Sequence, residues 1–366
     1  MNVVVAVDKF KGSLTSFEAN SVIQSAIKKV NPTFQVTSFP MADGGDGFSK
    51  VLKFYLNTQT VKVNTIDPLH RKILGYYEWD KEHKTAIIEM AVASGLVLLK
   101  KKEQNPLKTS SYGTGLLIKH AINKGAKKII LGLGGTATND GGMGIACALG
   151  YQFKDKSGNL LSPSGASLLQ IHTIEKPTKR LPISIMIACD VNNPLFGKQG
   201  AAYIYAPQKG ASLEQVLLLD KGLRNLSKVI EKSTHQKVAK IPGAGAAGGV
   251  PALLNAYFKT TMVNGIDLIM KYSGIVKQLK QVDLLITGEG KIDHQSLSGK
   301  VVGSLASLAA EKKVPILLVA GMSEIGPKSP FSKLEMITLL DSTKSLKYSI
   351  LHAQSILADK IACYFK

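Results

Sequence analysis

A glycine-rich segment that follows an apolar strand constrains this chain more than any other feature. Between Gly132 and Gly144 the sequence reads GLGGTATNDGGMG, with six glycines in thirteen residues. Residues 128–131 before it (KIIL) have the pattern of a buried strand, and residues 145–149 after it (IACAL) that of a helix. A strand that breaks into glycines and enters a helix presents backbone N–H groups and a positive helix end, which together bind phosphate. The pattern therefore predicts an α/β unit with an anion-binding turn.

The glycine-rich segment does not identify a known nucleotide-binding class. It is not a P-loop, because no Gly-Lys-Ser/Thr follows at the required spacing. A second glycine motif, residues 243–248 (GAGAAG), satisfies G-x-G-x-x-G, but Pro242 interrupts the stretch where the dinucleotide fingerprint needs a strand. We therefore do not expect NAD binding. A tight turn without a ligand stays open as the alternative for either motif taken alone.

Length and composition indicate an ordinary globular protein. A chain of 366 residues is expected to form two domains. No apolar run approaches the ~20 residues that a membrane-spanning helix needs. Three distant cysteines and seven scattered histidines argue against a disulfide framework or structural zinc. We expect a cytoplasmic protein without a membrane partner.

The formal charge of +20 raises the alternative of a nucleic-acid binder. Only three of the 46 basic residues are arginine, although arginine is the residue that reads bases and phosphates through paired hydrogen bonds. The lysines are also spread along the chain. We therefore predict a solvated lysine surface without a nucleic-acid partner, whose field attracts small anionic substrates.

The order of predicted elements indicates that one domain is inserted into another. Strand and helix patterns alternate near both chain ends, whereas residues 60–66, 73–79 and 85–90 resemble an antiparallel meander. We predict two different α/β domains: residues 1–60 plus 282–366 form one with a parallel sheet, and residues 61–281 form the inserted one. The ligand is expected in a cleft between them.

Several of the 26 acidic residues stand in turns rich in glycine or asparagine instead of on helix faces. A single turn aspartate is usually a turn former or helix cap. A set of them after predicted strands suggests Mg²⁺ bound together with phosphate, and a base for a hydroxyl nucleophile. The set is Asp8, Asp43, Asp46, Asp140, Asp190, Glu289 and Asp293.

Nine landmark segments, taken in order, closely resemble the bacterial glycerate kinase family, which phosphorylates D-glycerate with ATP. The resemblance covers essentially the whole chain and implies two different α/β domains, one of them flavodoxin-like, with the active site between them. The segments are DKFKGSLTSFEA, MADGGDG, IIEMAVASGL, TSSYGTG, GLGGTATNDGG, CDVNNPLFG, APQKGA, GAGAAGG and TGEGKID.

The resemblance implies ATP and Mg²⁺ as cofactors and makes these loops functional, but it does not fix which carboxylate has which role. We expect Asp190 to orient or deprotonate the attacking hydroxyl, with Lys11 and Asp8 as further catalytic residues, and Asp43 and Asp46 to hold the metal. The residues expected to bind the nucleotide are Gly134, Gly135, Thr136, Thr138, Asn139, Asp140, Gly141, Gly142, Glu289, Lys291 and Asp293.

The sequence departs from the family pattern at a few positions. The family commonly has serine at Lys9, glutamate at Asp46 and arginine at Lys291, so a two-pronged contact from residue 291 is in doubt. A non-catalytic binder of nucleotides or hydroxy acids stays open as an alternative. The resemblance favours 2-phosphoglycerate as the product; a homodimer is possible.

Overall fold

The computed structural model describes residues 1–45, 47–178, 181–293, 296, 300–324, 334–340 and 344–366. By their contacts they fall into two compact units: Met1–Asp43 with Gly265–Lys366, and Gly44–Asn264. The predicted domains, residues 1–60 plus 282–366 and residues 61–281, stay a prediction. In the described part of the chain, no helix is long and apolar enough to span a membrane.

Thirteen strands are found among the described residues. They are β1 (Asn2–Val7), β2 (Gln35–Ser38), β3 (Gln59–Ile66), β4 (Lys72–Asp80), β5 (Thr85–Glu89), β6 (Lys128–Gly132), β7 (Gln152–Lys154), β8 (Thr173–Glu175), β9 (Ser184–Ala188), β10 (Lys259–Val263), β11 (Leu284–Ile292), β12 (Ile316–Ser323) and β13 (Leu334–Thr338).

The described residues also form thirteen α-helices. They are α1 (Ser16–Val30), α2 (Phe48–Leu56), α3 (Ala91–Ser94), α4 (Tyr112–Asn123), α5 (Met143–Ala148), α6 (Ala201–Tyr205), α7 (Leu213–Thr234), α8 (Val250–Tyr257), α9 (Gly265–Ser273), α10 (Ile275–Gln278), α11 (Val301–Glu311), α12 (Leu346–Leu351) and α13 (Ala353–Tyr364).

The first unit is a parallel five-stranded sheet in the order β2-β1-β11-β12-β13. Counted along the unit this order is 2-1-3-4-5, the order of flavodoxin-like folds. The interior strand β1 is buried from its second residue onward, as expected for a parallel sheet covered on both faces. Its side chains join α1 and α13 in one apolar core. The predicted flavodoxin-like character is confirmed.

The second unit is a mixed six-stranded sheet in the order β10-β9-β6-β5-β4-β3. Strands β3, β4 and β5 form the predicted antiparallel meander, and β5, β6, β9 and β10 are parallel. Strands β7 and β8 form a separate two-stranded antiparallel sheet. Two apolar cores lie in this unit, and the second of them packs along α7.

A local sequence pattern marks the beginning of α1. Thr15 caps α1 through a capping box with Glu18, as the pattern Thr-x-x-Glu predicts. Pairing with β12 extends β11 to Ile292. Glu289 therefore lies within a strand instead of in the turn after it.

Candidate active site

Three parallel strands of the second unit end side by side. Glu89, Gly132 and Ala188 occupy the same register across β5, β6 and β9. The glycine-rich turn begins directly after Gly132, and Asp190 stands two residues beyond Ala188. The turn and Asp190 thus leave the same edge of the sheet, the carboxyl edge at which open α/β sheets bind ligands.

The carbonyl groups of the glycine-rich turn are held by the protein beneath it. The Gly135 carbonyl accepts from the Leu96 N–H at 2.8 Å. The Ala137 carbonyl accepts from Thr109 Oγ1 at 2.9 Å, and the Thr138 carbonyl accepts from Lys209 Nζ at 2.7 Å.

Fixing these carbonyls also fixes the amides that follow them. In a trans peptide the C=O and the next N–H point in opposite directions, and no cis peptide occurs in the described chain. The N–H groups that follow the three held carbonyls belong to Thr136, Thr138 and Asn139. Among the described residues these amides, and those of Gly134 and Gly135, donate to no protein group. The turn is therefore a row of oriented donors, as an anion site requires.

Two buried side chains in the turn also lack protein partners. Thr138 and Asn139 are both 0% exposed. The Thr138 hydroxyl and both polar atoms of the Asn139 amide make no hydrogen bond in the described structure. Buried polar groups are nearly always paired with protein, water or ligand. This orphaned pair stands beside the free amides of the same turn.

The Asp140 carboxylate, which we expected to contact the nucleotide, is hydrogen-bonded to the protein itself. Its carboxylate is fully buried and accepts from the Ser111 N–H, the Ser111 hydroxyl and the N–H groups of Gly142 and Gly144. Ser111 Oγ in turn accepts from the Ile145 N–H. The start of α5, which we expected to face phosphate, is thus already capped, and the free donors lie earlier in the turn.

Close backbone contacts explain why glycines occur here. A Cβ on Gly134 would lie 2.4 Å from the Gly45 Cα, so the second half of the ADGGDG loop packs directly on the turn. A Cβ on Gly248 would lie 2.3 Å from the Thr138 carbonyl oxygen, and Gly141 donates its N–H to the Gly248 carbonyl. The GAGAAGG loop therefore supports the turn from another side, and it binds through its backbone instead of acting as a dinucleotide fingerprint.

In the first unit, two aspartates and a lysine form a compact group at the end of β1. Asp8 is 4% exposed, and its Oδ1 accepts from the Lys9 N–H at 2.6 Å. Lys9 Nζ lies 3.4 Å from Asp43 Oδ1 and 3.9 Å from Asp8 Oδ1. Burial raises the pKa of Asp8 to about 7, and the charges of Asp43 and Glu289 add to the effect, whereas Lys9 opposes it. Asp8 is therefore poised to exchange a proton near neutral pH.

Glu289 lies on the strand next to β1, where Gly288 pairs with Val7. Burial raises the pKa of Glu289, and its Oε1 has no hydrogen-bond partner within the described residues. Asp8 follows Val7 and Glu289 follows Gly288, so two carboxyl groups with raised pKa values occupy neighbouring positions on adjacent strands of one sheet. Such clusters are typical of functional sites.

The other expected residues of the first unit have varied surroundings. Lys11 is exposed. Lys291 forms a surface ion pair with Glu324 at 2.7 Å, and Asp293 accepts from the Ser296 N–H at 2.9 Å in a local turn. Asp46 lies outside the described residues. Across the described positions no three His, Cys, Asp or Glu side chains form a metal-binding group.

A model of the glycerate kinase family matches residues 3–365. The chain belongs to the glycerate kinase family. A glycerate kinase of Halalkalibacterium halodurans is 37% identical over 360 residues, covering 95% of each chain. The glycerate 2-kinase of Escherichia coli K12 is 37% identical over 93% of this chain and 92% of its own. A solved structure described as glycerate kinase 2 from Salmonella typhimurium LT2 has a TM-score of 0.81 at 33% identity, covering 100% of this chain and 98% of its own.

Glycerate kinase family membership confirms the resemblance that the nine segments suggested, and the two α/β sheets agree with it. Two residues with structural importance at the site were not among those to which we assigned a role. Glu89 accepts from the Ser49 N–H at 2.5 Å in the first turn of α2, and Lys209 donates to the Thr138 carbonyl of the turn. Both stand in landmark segments, IIEMAVASGL and APQKGA. The charge and loop position of Lys209 already suggested a contact with phosphate or a substrate carboxylate, whereas nothing distinguished Glu89 from an ordinary strand residue.

Proposed function

We propose that this protein transfers the γ-phosphoryl group of ATP to a hydroxyl of D-glycerate, giving 2-phosphoglycerate. The observation that carries the proposal is the set of free amides of Gly134, Gly135, Thr136, Thr138 and Asn139, together with the unpartnered Asn139 side chain. Phosphate oxygens are the acceptors that such a row suits. The family membership supplies the reaction in which a phosphate cradle is needed.

The cradle would act by orientation and charge. Its donors are fixed by protein contacts before any ligand binds, so no free energy is spent on arranging them during the reaction. Phosphoryl transfer needs little covalent help from the protein, and positioning with electrostatic stabilisation accounts for most of the catalysis. We assign the backbone of Gly134, Gly135, Thr136, Thr138 and Asn139 to the nucleotide phosphates. Asp140, Gly141 and Gly142 would keep the turn in shape.

The acidic residues would act on the acceptor and on the metal. Asp190 is our candidate for orienting or deprotonating the attacking hydroxyl. Asp43 and Asp46 are the candidates for Mg²⁺, which commonly takes only one or two carboxylates in addition to phosphate oxygens. The partly exposed Asp43 carboxylate suits that chemistry. Bound Mg²⁺ would neutralise charge that builds up on the phosphates.

The remaining assignments stay predictions. Asp8 and Lys11 are expected to take part in catalysis by holding a proton and a charge, respectively. Glu289, Lys291 and Asp293 are expected to contact the nucleotide, although Lys291 already pairs with Glu324. A cytoplasmic location, a possible homodimer and the absence of a nucleic-acid partner likewise stay predictions.

Phosphorus NMR of the protein with ATP, Mg²⁺ and D-glycerate tests the activity and the position of transfer together. We expect ADP to form only when glycerate is present, with the new resonance coupled to the proton on C2. Coupling to the C3 protons would change the product to 3-phosphoglycerate. Thermal stabilisation by ATP without any turnover would instead support the non-catalytic alternative.

A further inference from the structure

Lys209 is a charged residue in an unusual place. It lies at the end of a short 3-10 segment, Pro207–Lys209, after α6. It is only 4% exposed. Its ammonium donates to the Thr138 carbonyl at 2.7 Å and to Thr136 Oγ1 at 3.2 Å. Both acceptors belong to the glycine-rich turn, so every bond that the ammonium makes with described residues is directed at this turn.

A buried ammonium is costly for the fold. Burial lowers the pKa of Lys209 to about 8, and the negative charge of Asp140 only partly opposes this. An apolar side chain of similar length would avoid this desolvation penalty but would leave the buried Thr138 carbonyl without a donor. Asp140 does not need the lysine as a hydrogen-bond partner, because its oxygens already accept four other hydrogen bonds. The contacts that explain the buried lysine are therefore those with the Thr138 carbonyl and Thr136 Oγ1.

The geometry of the turn supplies an explanation. The bond from Lys209 holds the Thr138 carbonyl inward, so the Asn139 N–H of the same peptide is directed to the opposite side. Without this bond, the Thr138 carbonyl has no other hydrogen-bond donor among the described residues. The positive charge also lies directly behind the row of free amides, where it favours an anion on the other side.

We propose that Lys209 is a positioning residue for the phosphate-binding turn, which orients the Asn139 amide and adds positive charge beneath bound polyphosphate. The proposal rests on the proposed function, because it names what this turn binds. It assigns no contact between Lys209 and substrate.

The test compares Lys209→Met with the wild type and with Lys228→Met, which removes an exposed lysine from α7 of the same unit. One charge-assisted hydrogen bond from a fixed amide corresponds to about a 10- to 100-fold change in affinity. We expect Lys209→Met to raise the KM for ATP and the Kd for tripolyphosphate by this factor. The KM for D-glycerate should change less than about threefold, and the control should behave as wild type.

Phosphate binding by the folded variant separates a positioning role from a purely structural one. Lys209→Met should unfold at a lower temperature than wild type, because the buried Thr138 carbonyl loses its donor and buried Asp140 loses a neighbouring positive charge. The proposal is overturned if ATP and tripolyphosphate bind with wild-type affinity. It is also overturned if Lys209→Met and Lys209→Leu both fail to fold, since the lysine would then be part of the framework. A wild type that binds tripolyphosphate but releases no ADP with glycerate contradicts the proposed function alone.

Discussion

Replacing Asp8 with asparagine should stabilise this protein at neutral pH relative to acid pH. Asp8 is almost fully buried at the end of β1, and burial raises the pKa of its carboxyl from 3.8 to about 7. The unfolded chain therefore releases this proton more readily than the folded protein does. Below pH 3.8 the group is protonated in both states and costs nothing. As pH rises towards 7, ionisation favours the unfolded chain and stability falls.

The size of the effect follows from the two pKa values. One pKa unit corresponds to about 1.4 kcal/mol, so a rise of about three units costs the folded protein roughly 4 kcal/mol once pH exceeds 7. Asparagine cannot ionise and avoids this cost. Its amide can still accept from the Lys9 N–H. Its unpaired NH₂ group adds a penalty of about 1–3 kcal/mol, but that penalty is the same at every pH.

Thermal unfolding of wild type and Asp8→Asn between pH 4 and pH 8 measures the difference. The stability of the variant minus that of wild type should increase by about 4 kcal/mol across this range, or roughly 10 °C in Tm for a unit of this size. Asp155→Asn is the control: hydrogen bonds from Asn159 lower the pKa of that exposed carboxyl, so its replacement should lose stability above pH 4.

A difference between Asp8→Asn and wild type that stays flat from pH 4 to pH 8 would refute the reasoning. It would mean that the Asp8 carboxyl is solvated or paired well enough to ionise normally. The measurement needs no substrate, so it does not depend on the proposed reaction.

Three further outcomes follow from the site. Asp190→Asn should lower kcat for glycerate phosphorylation about 100-fold or more with little change in the glycerate KM, and a near-normal kcat would remove Asp190 as the base. Asn139→Ala should raise the ATP KM about tenfold while stability changes little, because the lost amide has no protein partner; equal ATP KM values would contradict a phosphate contact. Gly248→Ala should destabilise the protein by more than about 3 kcal/mol in urea unfolding, because its Cβ would clash with the Thr138 carbonyl. Gly158→Ala, at a similar positive φ but in open space, should cost only about 1 kcal/mol, and equal losses would contradict the steric explanation.

Much of the fold could be predicted because its signals are local. Strands β1 and β6 are short apolar runs bounded by polar or glycine residues, and α1 begins at a Thr-x-x-Glu capping box. The meander of β3, β4 and β5 was likewise visible in alternating patterns. Short edge elements such as β13 carry little such signal, since pairing with β12 decides their conformation.

The candidate site was only partly predictable, because a side chain's role depends on partners that are distant in sequence. Asp140 and Asn139 are neighbours in one turn, yet the first accepts four hydrogen bonds and the second has an unpartnered amide. Lys209 stands more than sixty residues from the turn that it holds. Composition and spacing cannot distinguish these cases.

The sequence by itself determined that a glycine-rich turn with few side-chain groups follows β6, because the run from Gly132 to Gly144 holds six glycines. It also determined the family, through nine ordered segments. Only the tertiary structure decided which amides are free, since that depends on where each carbonyl finds its donor. A trans peptide links the two groups, and contacts from Leu96, Thr109 and Lys209 therefore set the direction of the binding face.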